Sequence, residues 1–298
     1  MDVVVPFRGD RNTLDELRAR LTRLELRAGD TILVVDNTAG RERDEATAIE
    51  QIPVLAAALT PTPGYARNRG AERGDAEWLV FIDADTDPPA DLLERYFDPP
   101  PQSETVLLAG GVVDEEVPVD APGPARYAYL RGTLNQTRTL SLGRWSFVQT
   151  ANAACRRAAF EAVGGFNEGI RAGEDADLTY RLKARGGQIE RREAAAVVHR
   201  SRRNLGPFIA QAALHGAGNA WLNRNYPGSF PPRRRPGLVW WAIRSTTKGF
   251  FRAARFHDRD QRVRALFEAL WEVSFEFGRS LSVEPPDHRA RRRLRTDR

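Results

Sequence analysis

Three carboxylates, Asp83, Asp85 and Asp87, come directly after an apolar run. Residues 78–82 are bulky and apolar, as in a buried strand. In open α/β sheets, ligands bind just beyond the carboxyl ends of the strands. Carboxylate oxygens at that place suit a hard divalent cation, which commonly bridges to phosphates. The alternative is a cluster that begins the helix expected near Ala90, and N-cap preferences favour that role for Asp87.

Other acids and one histidine also stand at the ends of predicted elements. Asp36 ends a second apolar run, where a turn-forming Asp-Asn pair is the simpler explanation. Glu174, Asp175 and Asp177 begin a predicted helix, where acids interact favourably with the helix dipole. A carboxylate there can also act as a general base if it is ionised and within reach of a nucleophile. His199 follows an apolar run, where it either packs or binds a metal.

Strands and helices alternate along the first two hundred residues, and each strand is almost continuously apolar. This pattern predicts an α/β fold with a mostly parallel sheet and helices on both faces. Strands are predicted over residues 3–7, 32–37, 52–59, 78–82, 104–113 and 189–198. Helices are predicted over residues 14–24, 64–73, 125–137, 157–163 and 174–185.

Taken in order, six short segments resemble the family 2 glycosyltransferases of the GT-A fold, which is Rossmann-like. The segments are residues 5–8, 34–37, 66–70, 81–85, 164–168 and 174–178. The resemblance extends from Asp2 to about His199. It implies transfer of a sugar from a nucleoside-diphosphate sugar donor to an acceptor, usually a hydroxyl. It also implies a divalent cation, Mn²⁺ or Mg²⁺, which would neutralise the departing diphosphate.

The resemblance implies a donor side built from five residues. Asp36 matches the carboxylate that accepts a hydrogen bond from the base, and Asp83 matches the residue that meets the ribose or the ion. Pro6 and Arg8 would flank the nucleoside. Arg67 would face the base or the diphosphate, for which an arginine fork is well suited. An arginine at position 8, where relatives more often have asparagine, leaves uridine, guanosine and thymidine diphosphates all open.

The resemblance also implies a metal site and a catalytic base. Asp85 matches the metal ligand of the Asp-x-Asp motif, and His199 matches the histidine that completes the metal site in many relatives. Asp175 matches the general base of direct, inverting displacement. Glu174 and Asp177 are the alternatives for that role.

Composition restricts the class of protein. The 298 residues are 41% hydrophobic, which is enough for a sizeable core, and the formal net charge is +5. Cys155 is the only cysteine, which excludes an intrachain disulfide and a thiolate metal cage. We find neither a signal-peptide pattern nor an apolar run of about 18 residues. These observations predict a cytoplasmic protein, with peripheral contact at the inner face of the cell membrane left open.

The composition changes after residue 200. We predict a domain over residues 1–200 and a mostly helical, basic and aromatic extension over residues 201–298. Residues 231–236 predict a linker or sharp turn, and residues 289–298 predict a disordered basic tail. In residues 240–256 aromatics alternate with cations, so docking on the domain and contact with an anionic membrane surface both remain open. Helical spacing predicts a docked face, made of Val263, Leu266, Phe267, Leu270, Trp271 and Phe275.

Three other functions agree less well with the sequence. A nucleotidyltransferase would share the nucleotide fold and the metal, but no Gly-rich, lysine-bearing loop follows the first strand. A dinucleotide dehydrogenase would need a Gly-x-Gly-x-x-Gly turn after the first strand, and residues 6–10 do not form one. A non-enzymatic basic module that binds membrane or nucleic acid would leave Asp83, Asp85 and Asp175 without a role. We therefore expect no nucleic-acid partner, and the donor sugar and the acceptor stay open.

Overall fold

A mixed sheet forms the centre of the chain. The computed structural model describes residues 1–40, 52–132, 135–231 and 237–285. In these residues eight strands pair in the order β3-β2-β1-β4-β7-β6-β8-β5. The strands are β1 Asp2–Phe7, β2 Thr31–Asp36, β3 Val54–Ala56, β4 Trp78–Ile82, β5 Thr86–Asp87, β6 Thr105–Asp114, β7 Asn152–Arg156 and β8 Gln188–His199.

Ten α-helices accompany the sheet in the described ranges. They are α1 Arg11–Leu21, α2 Pro63–Ala71, α3 Leu92–Tyr96, α4 Gly123–Arg131, α5 Gln136–Leu140, α6 Arg157–Ala162, α7 Glu174–Ala184, α8 Leu205–Asn225, α9 Leu238–Arg255 and α10 Arg259–Gly278. None of these helices combines the length and the apolar character that crossing a bilayer requires.

Alternation along the strands divides the core into two layers. Val3, Val5 and Val80 pack on one face of the sheet with leucines of α1 and α3. Val4 and Phe81, which alternate with them, pack on the other face with α2, α6 and α7. Side chains of a strand point alternately to its two faces, so strands that are apolar throughout require helices on both sides. The predicted α/β fold with helices on both faces is confirmed.

The parallel part of the sheet brings the predicted strand ends together. β1 pairs in parallel with both β2 and β4, and β6 pairs in parallel with β8. Strand β7 runs antiparallel between β4 and β6. Because β1, β2 and β4 point the same way, the chain that follows them emerges at one edge. That edge carries the candidate site.

Three local predictions were wrong. The single helix predicted over residues 125–137 is divided into α4 and α5. Helix α4 ends at Arg131, and its C-cap residue Gly132 has a left-handed φ of 63°. Asp87 does not cap α3, because it lies in the short strand β5 and forms an ion pair with Arg23. The N-cap position of α3 is Asp91. The third strand is also shorter than predicted.

The C-terminal helices pack on the domain that carries the sheet. Leu222 of α8 lies in a cluster with Ala176 and Tyr180 of α7. Val263 and Trp271 of α10 are buried with residues of α4 and α8. The predicted docked face is therefore largely correct. Leu266 is the exception, because its side chain is 40% exposed.

Some predictions lie outside the described residues. They concern most of the linker at 231–236 and the basic tail over residues 289–298.

Candidate active site

A cavity of about 1720 Å³ opens where the parallel strands end. Its wall includes Pro6 and Arg8 after β1, Asp83 and Asp85 after β4, and Asp175 at the start of α7. His199 at the end of β8 and residues of α8 and α10 also line the cavity. Acids from separate segments of the chain therefore share one cleft.

Asp85 and His199 face each other in the wall of the cavity. The His199 Nε2 atom lies 3.6 Å from Asp85 Oδ2, and the His199 Nδ1 atom lies 2.9 Å from Asp114 Oδ1. The Asp114 contact holds the ring so that Nε2 is directed at Asp85. β6 and β8 bring the residues together, because Asp114 is the register partner of His199.

The pKa values of His199 and Asp85 show which charges the site stabilises. Burial lowers the pKa of His199, but its contacts with Asp114 and Asp85 outweigh burial and raise the pKa to about 10. Burial opposes ionisation of Asp85 as well, yet His199 and Arg202 hold the pKa of that carboxyl below its usual range. The site thus keeps the Asp85 carboxylate ionised next to the protonated imidazole of His199. A metal cation can take the place of the imidazole proton.

The donor atoms fit a hard divalent cation held by few protein ligands. One carboxylate oxygen and one imidazole nitrogen are directed at each other, and a second carboxylate orients the imidazole from behind. This carboxylate–histidine arrangement is typical of metal sites. Among the described residues no group of three or more His, Cys, Asp or Glu side chains could hold a metal ion. Such an ion would therefore need further oxygen ligands, as Mg²⁺ and Mn²⁺ commonly take from phosphates and water.

Arg67 links the two acidic segments of the cavity. Its guanidinium donates to Asp83 Oδ1 at 2.6 Å and to Glu174 Oε1 at 3.0 Å, and its side chain is 4% exposed. Phe166 covers the guanidinium, with 5.4 Å from Cζ to the ring centroid. Burial lowers the pKa of Arg67, but Asp83 and Glu174 outweigh it and raise the pKa above its usual value. Arg67 therefore holds the β4 end and the α7 start in one place.

Replacement of Arg67 by methionine is expected to destabilise the fold by about 3 kcal/mol, because it leaves two carboxylates facing each other without their cation. Urea unfolding followed by circular dichroism measures the change. Arg69→Met on the same helix is the matched control, since Arg69 pairs with Glu72 and Glu168 but is 36% exposed. That control is expected to cost less than about 1 kcal/mol. Equal losses in the two variants would contradict the structural role of Arg67.

Asp175 is the acid most changed by its surroundings. Helix α7 begins after Gly173, which has a φ of 89°, and a side chain there would press on Leu222 of α8. This turn brings Asp175 to the cavity. Burial raises the pKa of Asp175 to about 7, and the charge of Glu174 adds to the effect while Arg67 opposes it. A carboxyl with such a pKa can accept and release a proton near neutrality.

The two alternatives to Asp175 are occupied elsewhere. Glu174 lines the cavity but is paired with Arg67. Asp177 is absent from the wall; it accepts hydrogen bonds from Arg181 at 2.6 Å and from the Tyr226 hydroxyl at 2.6 Å. Asp175 is thus the acid of this helix whose carboxylate is open to a substrate.

The structure does not place the Asp36 carboxylate at the cavity. Asp36 is buried, and its Oδ1 atom accepts a hydrogen bond from the Thr38 backbone N–H at 2.9 Å. This is the turn that the Asp-Asn pair alone would predict. Its neighbour Asn37 lines the cavity instead, with its side-chain amide donating to Ala57 O at 2.6 Å.

Two groups of residues at the site were not among the predicted site residues. Asp114 directly follows the strand predicted over residues 104–113, so an acid at a strand end was the signal that could have identified it. The second group lies on α8 and α10. It includes His215 and Trp271, whose rings meet edge to face at 5.7 Å, and Trp271 was predicted only to dock on the domain. Burial lowers the pKa of His215 to about 4, so the ring is neutral at physiological pH. These helices add aromatic rings to the cavity wall, together with Glu268, Glu272 and Glu276 of α10.

The sequence also matches a known family. Residues 78–275, about two thirds of the chain, match the model of the glycosyl transferase family group 2. The chain belongs to this family. The match begins at β4 and runs through β7, α7 and β8 into α10, so the family pattern includes the C-terminal helices that line the cavity.

Relatives of this glycosyltransferase chain differ from it in length. It is 31% identical over 269 residues to the pre-mycofactocin glycosyltransferase of Mycobacterium tuberculosis, a match that covers 85% of this chain and 54% of that protein. It is 30% identical over 165 residues to the succinoglycan biosynthesis protein ExoA of Rhizobium meliloti, covering 55% of this chain and 48% of that protein. The chain thus spans about half the length of the curated relatives it matches.

Solved structures of glycosyltransferases share the fold. The mannosyltransferase PcManGT of Pyrobaculum calidifontis, solved with GDP-Man and Mn²⁺, superimposes with a TM-score of 0.56 at 14% identity, covering 94% of this chain and 85% of that one. GalNAc-T7, solved with UDP, GalNAc and Mn²⁺, gives 0.51 at 14% identity, covering 82% of this chain and 50% of that one. The predicted GT-A architecture is therefore confirmed.

Proposed function

We propose that this chain is an inverting glycosyltransferase that moves a sugar from a nucleoside-diphosphate sugar to an acceptor hydroxyl with the help of a divalent cation. The observation that carries the proposal is the shared cavity of Asp85 and Asp175. One is a carboxylate kept ionised beside an imidazole, and the other is a carboxyl with a pKa of about 7. The first can hold a cation that neutralises charge, and the second can remove a proton. The reaction needs both functions.

On the donor side, Asp85 and His199 would hold the cation, whose chemistry is to neutralise the departing diphosphate. Asp83, fixed by Arg67, stands next to them for the ribose or the ion. Pro6 and Arg8 would flank the nucleoside, and the exposed Arg8 can turn toward phosphate oxygens. We assign the base-facing role to Asn37 rather than to Asp36, because Asn37 lies on the cavity wall. The Mn²⁺ and nucleotide ligands of PcManGT and GalNAc-T7 support a donor of this class.

On the acceptor side, Asp175 would accept the proton of the attacking hydroxyl. In a single displacement the new bond forms on the face of the sugar opposite to the leaving diphosphate, so the configuration at the anomeric carbon inverts. The base must be ionised before the attack, and a pKa of about 7 lets Asp175 be so at neutral pH while remaining basic enough to take a proton. Glu174 would assist only through its charge.

Contact with an anionic membrane surface through the C-terminal segment is a second proposal. It depends on α9 and is independent of the cavity chemistry. The exposed aromatic residues of α9 are the observation that favours it.

The proposed chemistry predicts donor turnover that requires metal. Uridine-, guanosine- and thymidine-diphosphate sugars would be screened for release of nucleoside diphosphate with Mn²⁺ and, as the control, with EDTA. We expect turnover of at least one donor with Mn²⁺ and at least about a hundredfold less with EDTA, because the leaving charge is then not neutralised. Failure of every donor, together with no rise in melting temperature with UDP or GDP and Mn²⁺, would contradict the proposal. A rise in melting temperature with DNA instead would favour a binding module.

A further inference from the structure

Helix α9 exposes its large apolar side chains and buries its small ones. Ala242, Gly249 and Ala253 are buried. A Cβ atom at Gly249 would lie 2.8 Å from the backbone oxygen of Ala265, so this face of α9 packs closely on α10. The opposite side carries five large apolar residues, each more than half exposed, namely Val239, Trp240, Ile243, Phe250 and Phe251. An exposed aromatic face of this kind marks an interaction surface.

Cations adjoin the apolar face of α9. Arg244, Lys248, Arg252 and Arg255 recur every three or four residues and are all exposed, so they form one stripe along the helix. The helix contains no Asp or Glu. An apolar face beside a purely cationic stripe is the pattern of a helix that lies in the interface of an anionic membrane.

A second cavity opens on the cationic side of α9. It has a volume of about 650 Å³ and lies between α4, α9 and α10. Cations outnumber acids in its wall, which contains Arg131, Lys248, Arg252, Arg264, Glu268 and Glu272. A concave, net-positive site beside an exposed apolar face has the size and the charge for an anionic headgroup.

Helix α9 also contributes to the catalytic cavity. Trp241 lines that cavity, whereas the adjacent Trp240 is 69% exposed. A surface that covers Trp240 would therefore lie next to the part of the candidate active site that Trp241 lines. The helix thus connects the outer surface of the protein with the candidate active site.

We propose that α9 docks the protein on an anionic membrane, with its apolar face in the headgroup region and an anionic lipid headgroup in the cavity between α4, α9 and α10. A second copy of the chain fits this surface less well. A two-fold contact is self-complementary, so it would bring two purely cationic stripes close together. The proposal does not require sugar transfer, because binding to vesicles is measured without substrate.

Vesicle sedimentation of the full chain tests the apolar face. Vesicles of phosphatidylcholine with about 30% phosphatidylglycerol are expected to bind the protein at least about tenfold more strongly than pure phosphatidylcholine. The variant with Trp240→Ser and Phe251→Ser is expected to lose about tenfold in partitioning. Leu59→Ser, which changes a residue 67% exposed outside α9, is the matched control and should bind like the wild type. Melting curves of all variants establish that each one folds.

Charge-matched variants test the headgroup cavity. Lys248→Gln with Arg252→Gln removes two cations that line the cavity, whereas Arg244→Gln with Arg255→Gln removes two from the same helix that do not line it. We expect the first pair to weaken binding to anionic vesicles at least about threefold more than the second. Equal losses would overturn the headgroup site.

Three results would overturn the docking proposal as a whole. One is no preference of the wild type for anionic vesicles. Another is stabilisation by inorganic phosphate without any vesicle binding, which would make the cavity a site for soluble anions. The third is a dimer in sedimentation equilibrium that Trp240→Ser and Phe251→Ser dissociate, without vesicle binding. Loss of donor turnover would leave the proposal unaffected.

Discussion

Replacement of Asp175 by asparagine is expected to lower the rate of sugar transfer by about 10³-fold, since removal of a general base typically costs two to four orders of magnitude. Asparagine keeps the size of the side chain but cannot accept the acceptor's proton. The measurement is kcat with saturating donor and Mn²⁺. In the wild type the rate is expected to rise with pH, with its midpoint near pH 7, the pKa of Asp175, because only the ionised form is active.

Asp177→Asn is the matched control for this prediction. It lies on the same helix, but Asp177 is bonded to Arg181 and Tyr226 and does not line the cavity. Its turnover per folded molecule is expected to stay within about twofold of the wild type. If Asp175→Asn retained wild-type turnover, or if the two variants lost activity equally, Asp175 would not be the base.

The same substitution is expected to stabilise the protein at alkaline pH. The pKa of Asp175 in the folded chain, about 7, lies above its usual value of 3.8, so ionising this group costs folding free energy. The cost appears as the pH rises above about 4 and is complete above about 7. Asp175→Asn removes it, with an expected gain of about 4 kcal/mol at pH 8 and little at pH 4. Urea unfolding of the metal-free protein at the two pH values measures this gain.

Replacement of Asp85 by alanine is expected to lower transfer by at least about 10²-fold, because several kcal/mol of charge stabilisation at the departing diphosphate depend on the metal. The side chain of Asp85 is 43% exposed, so its removal should leave the fold intact. The rate is measured at increasing Mn²⁺ concentrations. Part of the loss is expected to return at high Mn²⁺, since His199 and the diphosphate still offer ligands.

Asp87→Ala provides the control for Asp85. It removes a carboxylate two positions further along the chain that pairs with Arg23 and lies outside the cavity wall. Its activity should remain within about twofold of the wild type, as expected for a surface ion pair. Loss of activity in Asp87→Ala but not in Asp85→Ala would show that Asp87, and not Asp85, is the metal ligand.

The elements that position the site were predictable because they are encoded locally. Apolar runs such as residues 78–82 are continuous in sequence, and the acid that follows each one is visible beside it. Parallel strands then bring separate acids to one edge, so Asp83 and Asp85 were expected near the end of β1. Asp175 was expected there only through the family resemblance.

The remaining features of the site depend on contacts between residues that are far apart in sequence. The hydrophobic periodicity of the sequence carries no information about such contacts. Asp114 reaches His199 only through the pairing of β6 with β8. The same limit applied to α8 and α10, which were predicted as an extension although they line the candidate active site. Leu266 has helical spacing with Trp271, yet it is exposed because α10 is covered on part of its surface only.

The most direct test of the converging acids is calorimetric titration of the metal-free protein with UDP or GDP, with and without Mn²⁺. We expect binding of one nucleotide to the wild type to depend on Mn²⁺. Asp85→Ala should weaken that binding at least about tenfold, whereas Asp175→Asn should leave it unchanged, since a base does not hold the metal. Binding of the nucleotide and Mn²⁺ to Asp85→Ala with wild-type affinity would contradict the account.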